Sequence, residues 1–326
     1  MNREQFSPET REGSYRETSV ERQPDQATVR FSFRRHGAKE SEGADPALTP
    51  PGRLQAENEG KRMQPTPDVA VGRGSPRHRT EETVQRIIGA ARPERITPMM
   101  TAQEVEAEIN REFKEARDKG LPIRKTLADE RLNFQMTGAY KEKTVQSIES
   151  KNYLRFLVDK SDQLKLDSKD GQSTSLSVQA GNIAELLNSY GAGVLKGWRK
   201  VIERKPEEYK QFNYQLERYL GTHAGVVESF LFKLLKAKQG EAMAQEFANA
   251  NPNGFKELQG VDIQAELVDG QPRFTLTYQL PEQTDGETKM VERQVEFGEK
   301  ELIQIIKERE ELKAKVETVD TAPNPS

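Results

Sequence analysis

The sequence predicts an α/β fold in which helices pack around a mostly parallel sheet. Three short stretches carry that prediction: Thr28–Arg34, Asp68–Val71 and Tyr214–Leu220 read as strands, end at small or turn-forming residues, and run into helical patterns. Strand–helix alternation of this kind feeds a parallel sheet. A long, mostly helical section lies between Ile96 and Lys210, and a hairpin pattern appears beyond residue 260.

Taken in order, residues 1 to 27 hold Arg, Glu, Ser, Gln and Pro with almost no aliphatics, the composition of a disordered tail. The first strand alternates Val29, Phe31 and Phe33 with polar residues and meets a tight turn at Gly37. A turn-rich loop from Gly43 to Pro51 precedes a polar helix from Pro51 to Arg62. The second strand leads through Gly72-Arg73-Gly74 to a helix after Ser75-Pro76 that carries Val84, Ile87 and Ile88. Thr101 and Glu104 form a capping box ahead of Val105, Ile109 and Phe113, and Gly120 is a helix stop. Further helices are expected over Glu142–Asp159 and Leu176–Arg204, with a Lys/Asp/Ser/Gly loop from Lys160 to Thr174 between them. After the third strand come Gly221-Thr222-His223-Ala224-Gly225 and a strongly apolar helix through Leu235. Asp269-Gly270 is a hairpin turn between Val261–Val268 and Arg273–Leu280. Val291–Phe297 adds a strand, Glu301–Val316 a charged amphipathic helix, and the last residues a tail.

Composition narrows the chemistry. The 326 residues contain 50 Lys and Arg against 53 Asp and Glu, a net charge of −3, which argues against wholesale nucleic-acid binding. There is no cysteine, so disulfides, thiolate metal sites and a cysteine nucleophile are excluded. No run approaches the roughly 18 apolar residues of a membrane span, and the start lacks an apolar leader segment, so a cytoplasmic location is expected.

Only three histidines are present, His36, His78 and His223. Two of them stand where a strand stops at small residues, the carboxyl edge at which α/β sheets bind ligands. His36 follows Arg34 and Arg35, and His223 precedes a helix N-terminus, a position suited to an anion. Arg73, Arg77 and Arg79 crowd the start of the helix after the second strand, and arginine forks grip phosphate oxygens in pairs.

These segments resemble the signature of the histidine phosphatase superfamily, which includes phosphoglycerate mutases and acid phosphatases. The resemblance rests on Arg35-His36-Gly37; on Leu48-Thr49, Gly52 and Gln55-Ala56; on Ser75-Pro76, Arg79 and Thr83; and on Gly221-Thr222-His223-Ala224-Gly225-Val226, in family order over roughly residues 28 to 240. It implies a three-layer α/β/α core over 28–240 with a helical cap insertion at about 135–210. A hairpin-and-helix extension at 250–316 and a tail at 317–326 follow. It further implies a metal-independent phosphatase without cofactor: His36 the nucleophile that carries the phosphoryl group, Arg35, Arg79 and His223 the phosphate ligands, and Glu130 the proton donor. Asp129 is the rival acid, since Leu127-Ala128-Asp129-Glu130-Arg131 resembles a mutase-type segment ending in glutamate-arginine. His78 is given no role. The expected substrate is a phosphorylated small molecule or a phosphoprotein, with neither nucleic acid nor membrane as partner. A mutase-like phosphotransferase and a non-catalytic phospholigand-binding module of the same fold are the alternatives.

Overall fold

The structure, a computed structural model, describes residues 21–41, 45–66, 69–90, 100–101, 103–105, 107–108, 111, 127–284 and 287–320. Its sheet begins with β1 (Thr28–Arg35), followed by α1 (Pro50–Met63), β2 (Ala70–Gly74), α2 (His78–Gly89), the two-residue β3 (Leu127–Ala128) and a 3-10 turn at Glu130–Leu132. The helical section comprises α3 (Gly138–Glu149), α4 (Tyr153–Phe156), α5 (Asp162–Asp167), α6 (Leu176–Arg204) and α7 (Pro206–Lys210). Then come β4 (Gln215–Thr222), α8 (Val226–Gln239), α9 (Glu241–Ala250), β5 (Gly260–Val268), β6 (Gln271–Thr284), β7 (Glu287–Gly298) and α10 (Glu299–Asp320).

The seven strands lie in the order β3-β2-β4-β1-β5-β6-β7. The first four are parallel, and the last three join as antiparallel hairpin strands on the far side of β1. The α/β class with a mostly parallel core and a C-terminal hairpin and helix is therefore what the chain adopts. One face of the sheet packs Val29, Phe31, Phe33 and Leu220 against α6, α8 and α9. On the other face a smaller cluster of Ala70, Tyr219, Val84, Ile87 and Met63 joins the sheet to α1 and α2. Among the described residues no helix is long and apolar enough to cross a membrane.

The polar half of the β1 alternation is not solvent-facing. Arg34 is 4% exposed and pairs with Glu59 of α1 and Asp262 of β5, each at 2.8 Å, while Ser32 donates to Asp262 at 2.6 Å. Burial drives the Asp262 carboxyl upward, but Arg34 and Arg30 outweigh it and hold the group at about 2. An ion network thus replaces apolar packing where α1 meets the strand.

Several boundaries differ from expectation. The helix expected over 142–159 is broken after Glu149, where Lys151 adopts a left-handed φ of 56°. The helical path then resumes at Tyr153, passes through a π turn at Leu157–Ser161 and reaches Asp167, so the following loop is shorter than 160–174. The hydroxyl of Ser161 accounts for this, accepting the Leu176 N–H at 2.9 Å and donating to Leu157 O at 2.6 Å. Residues 176–204, expected inside a cap, form part of the core layer, because Ile183, Ala184 and Leu187 are buried within the main cluster. Residues 21–27, expected in the tail, hold a 3-10 turn at Pro24–Gln26, and the Arg22 N–H donates to Asn213 at 2.8 Å. Helix α10 extends to Asp320, past the expected start of the last tail. Helix α9 was not anticipated. The Thr101–Glu104 capping box is present, whereas Ile109, Phe113 and Gly120 lie outside the described residues.

The loop after β1 is held by close backbone packing. Thr49 caps α1 by accepting the Gly52 N–H at 3.1 Å, and the Thr49 N–H donates to Ala38 O at 2.9 Å. A Cβ on Gly52 would lie 2.0 Å from Ala38 O, and one on Gly37 2.7 Å from Gly52 O. Gly52→Ala must push this loop outward, and overpacking of this kind costs about 1–3 kcal/mol. Urea unfolding of Gly52→Ala should show a loss in that range or above; an unchanged midpoint would contradict the close approach.

Candidate active site

Four strand ends converge at the carboxyl edge of the parallel half. The His36 N–H donates to Thr222 O at 3.0 Å, the Ser75 N–H to Gly221 O at 3.1 Å, and the Asp129 N–H to Gly74 O at 2.8 Å. These bonds extend the β1–β4, β4–β2 and β2–β3 ladders by one residue. They bring His36, Ser75, Asp129 and His223 to one rim.

The His36 and His223 rings lie edge to face with centroids 5.4 Å apart. His36 is 6% exposed and its Nδ1 stands 2.8 Å from Gly37 O. A carbonyl can only accept, so Nδ1 carries the proton and Nε2 keeps a free lone pair. His223 is 2% exposed. Its Nε2 is 2.7 Å from Ser75 Oγ, and its Nδ1 is 3.4 Å from Nη2 of Arg79. Because guanidinium only donates, Nδ1 is the acceptor and the Nε2–H donates to Ser75, which passes its own proton to Thr80 Oγ1 at 2.8 Å. Thr80 donates to the backbone carbonyls of Ser75 and Arg77. The chain of donors runs one way and orients the His223 ring.

Both imidazoles are neutral in the fold. Burial, followed by the charges of Arg79 and Arg35, brings His36 down to about 3 despite its bond to Gly37 O. Burial, Arg79 and His36 likewise place His223 well below the ordinary histidine value.

Residues of the sequence motifs surround this pair in supporting positions. The Thr83 hydroxyl accepts the Gly37 N–H at 3.2 Å and donates to Arg79 O at 2.6 Å, tying the His36 loop to α2. Gln55 accepts the Ala38 N–H at 3.0 Å. Glu82 accepts the Leu48 N–H at 3.2 Å and pairs with Arg53 at 2.8 Å.

The four phosphate and acid positions expected from the sequence fare differently. Arg79 meets His223, and its Nη1 also pairs with Asp45 at 3.3 Å. Arg35 turns toward the α9–β5 loop and donates Nη1 to Phe255 O at 2.5 Å. The Nε–H groups of both arginines are buried without a hydrogen-bond partner. Asp129 is buried and clamped by Arg131 at 2.8 Å and Arg73 at 3.2 Å. Burial would raise its pKa, but those arginine contacts prevail and hold it below the usual carboxylate range. Glu130 is exposed and accepts from Asn133 Nδ2 at 3.3 Å, with no hydrogen bond to either histidine. The His78 side chain is exposed, and its backbone N–H donates to Asp45 at 3.1 Å.

Two residues at the rim escaped the sequence reading. Asp45 sets its carboxylate on both Arg79 and the N-terminus of α2. Phe134 stacks edge-on against His223 with centroids 4.9 Å apart. Neither carries a periodic or spacing signal. A turn-rich loop with one acid and an isolated aromatic after a 3-10 turn look like any connection.

No family profile and no curated protein matches the chain. Solved structures similar to it include a mycobacterial glucosyl-3-phosphoglycerate phosphatase, at 13% identity and a TM-score of 0.39 over 74% of this chain and 92% of that one. Others are a phosphoserine phosphatase of Entamoeba histolytica in complex with 3-phosphoglyceric acid (16%, 0.38, 75% and 93%) and a Klebsiella phytase (12%, 0.34, 88% and 96%). TM-scores under 0.5 leave the reading of function to the site itself.

The electrostatics of the two rings have a measurable consequence. Their folded pKa values lie below the unfolded value of 6.5, so between about pH 6.5 and 3 the unfolded chain binds protons that the folded chain does not. Stability therefore falls as pH drops through that window, by up to roughly 1.4 kcal/mol per pH unit per histidine. His36→Asn should reduce the loss of unfolding free energy between pH 7 and pH 5 by about 1–2 kcal/mol. An identical loss in variant and parent would mean that the ring titrates normally.

Proposed function

We propose that the chain is a metal-independent phosphatase that hydrolyses a phosphomonoester through a phosphohistidine on His36. The observation that carries the reading is the pair of buried neutral imidazoles beside Arg79, with the Nε2 lone pair of His36 left free by the bond from Nδ1 to Gly37 O. Phosphoryl transfer depends on positioning and on cations around the equatorial oxygens. Here Arg79, Arg35 and His223 are the groups assigned to those oxygens. Arg79 would exchange Asp45 for the substrate phosphate, and the unpartnered Nε–H groups of Arg79 and Arg35 supply further donors.

In this scheme the His36 Nε2 lone pair forms the N–P bond as the P–O bond to the leaving group breaks. The bond from Nδ1–H to Gly37 O stabilises the positive charge that develops on the ring. Glu130 donates its proton to the leaving oxygen. It then takes one from the water that breaks the N–P bond, which restores His36 and releases phosphate. Asp129 suits the proton donor role poorly, since two arginines hold it ionised. The substrate class is a phosphorylated small molecule or a phosphoprotein.

Acid quenching during turnover of an aryl phosphate, in EDTA throughout, should trap an acid-labile, alkali-stable phosphoprotein that His36→Ala no longer forms. Loss of turnover in EDTA with recovery on adding Mg²⁺ or Zn²⁺, or labelling that survives in His36→Ala, would overturn the mechanism.

The acid is tested by leaving-group dependence. Glu130→Gln should lose about 10²–10⁴-fold on an alkyl phosphate and far less on p-nitrophenyl phosphate, whose leaving group needs little protonation. Asp129→Asn should show no such contrast. If the contrast appears in Asp129→Asn instead, the assignment of the two carboxylates is reversed.

A further inference from the structure

One buried carboxyl close to the histidine rim takes no part in the proposed phosphoryl transfer. Glu228 stands in the first turn of α8, five residues after His223, and is fully buried. Its Oε1 accepts the Phe255 N–H at 2.7 Å. The Gly225 N–H at the head of the same helix bonds to the carboxyl as well, the usual reach of a third helical residue back to the cap. The chain before Phe255 comes so near that a Cβ on Gly254 would lie 2.6 Å from Oε1. Glu228 Oε2 is buried without a hydrogen-bond partner.

The residue that Glu228 grips by its N–H holds Arg35 by its carbonyl. Nη1 of Arg35 donates to Phe255 O at 2.5 Å. The Arg35 main chain is bound to the same loop, its N–H donating to Gln259 O at 2.9 Å and its carbonyl accepting the Leu258 N–H at 3.1 Å. Without the Glu228 acceptor the Phe255 N–H becomes a buried donor with nothing to bind, a cost the loop relieves by moving. The anchor of the Arg35 guanidinium moves with it. Glu228 therefore spans the site: Gly225 lies two residues past His223, and Phe255 carries Arg35. Burial pushes the Glu228 carboxyl up, although the Phe255 and Gly225 N–H groups and the charge of Arg35 pull the other way. A group shifted toward its neutral form offers an acceptor without cancelling the Arg35 cation.

We infer that Glu228 is a positioning residue that fixes the Arg35 guanidinium relative to His223 through the main chain of Phe255. Its effect on phosphate binding rests on the phosphatase reading, whereas its hold on Arg35 does not, so two measurements separate them. The first is the Nε–H resonance of Arg35 in nitrogen-15 spectra of the full chain, assigned by its loss in Arg35→Lys. It should be dispersed and slow to exchange in the parent and in Glu228→Gln, which keeps an acceptor for the Phe255 N–H. In Glu228→Met it should move to the averaged position of mobile arginines. Glu228→Asp, whose carboxyl falls short of Phe255, serves if Glu228→Met does not fold. The second is calorimetric titration with inorganic phosphate. Glu228→Met should weaken binding by about tenfold or more, and Glu228→Gln should stay within about threefold of the parent. In an Arg35→Lys background Glu228→Met should cost no further affinity, the coupling expected of a residue that acts through Arg35. An unchanged Arg35 resonance in both Glu228→Met and Glu228→Asp, or an equal loss of phosphate affinity with and without Arg35, would overturn the proposal. A parent chain that binds no phosphate would overturn the phosphatase reading instead, and the resonance alone then decides the role of Glu228.

Discussion

The parallel pairing of β1 with β4 is the constraint on which the rest of the molecule depends. Its register sets Arg35 against Thr222, so that one more residue on each strand puts His36 and His223 on the same rim. A slip of β1 by one residue would turn Phe31 and Phe33 out of the core and leave the two imidazoles on opposite faces, and the apolar face of β1 forbids that slip. Core packing and the geometry of the site are therefore one specification. The glycine contacts at Gly37 and Gly52 and the Thr83 bond to the Gly37 N–H then fix the direction in which the chain leaves β1.

Burial is the second theme of the site. Withdrawing two histidines from water beside arginines keeps both rings neutral. A neutral ring is the form that offers a lone pair at Nε2 of His36 and an acceptor at Nδ1 of His223. The one-way chain from Arg79 through His223, Ser75 and Thr80 leaves the His223 ring no freedom to choose another tautomer. Asp45 fills the remaining anion position on Arg79 and on the α2 N-terminus, so the resting arrangement is balanced by a carboxylate of the chain itself.

Much of this was legible in the sequence, for physical reasons that can be named. Val29, Phe31 and Phe33 alternate because one side of β1 faces an apolar layer, and the Arg-His-Gly turn marks where the strand stops. The convergence of Arg79, His223 and His36 followed from strand ends and motif order. Local pattern could not show how differently Asp129 and Glu130 are held, because the partners of Asp129 include Arg73, 56 residues away, as well as Arg131. Nor could it place the Arg35 side chain, whose partner Phe255 lies 220 residues along the chain. The break after Glu149 and the π turn escaped notice because a Ser161 hydroxyl bonding across to Leu176 leaves no periodic trace.

The position of β1 between β4 and β5 has a consequence for how the protein comes into being. Both of its neighbours belong to residues beyond 214, although β1 itself begins at residue 28. A nascent chain emerging from the ribosome carries β1 unpaired until β4 has been made, and loop-closure entropy makes such distant pairing slow. The two sides of the histidine rim, contributed by residues 36 and 223, come together only once residue 223 has been made. A product that stops before residue 223 has the first histidine without its counterpart and leaves β1 unpaired, an aggregation-prone fragment.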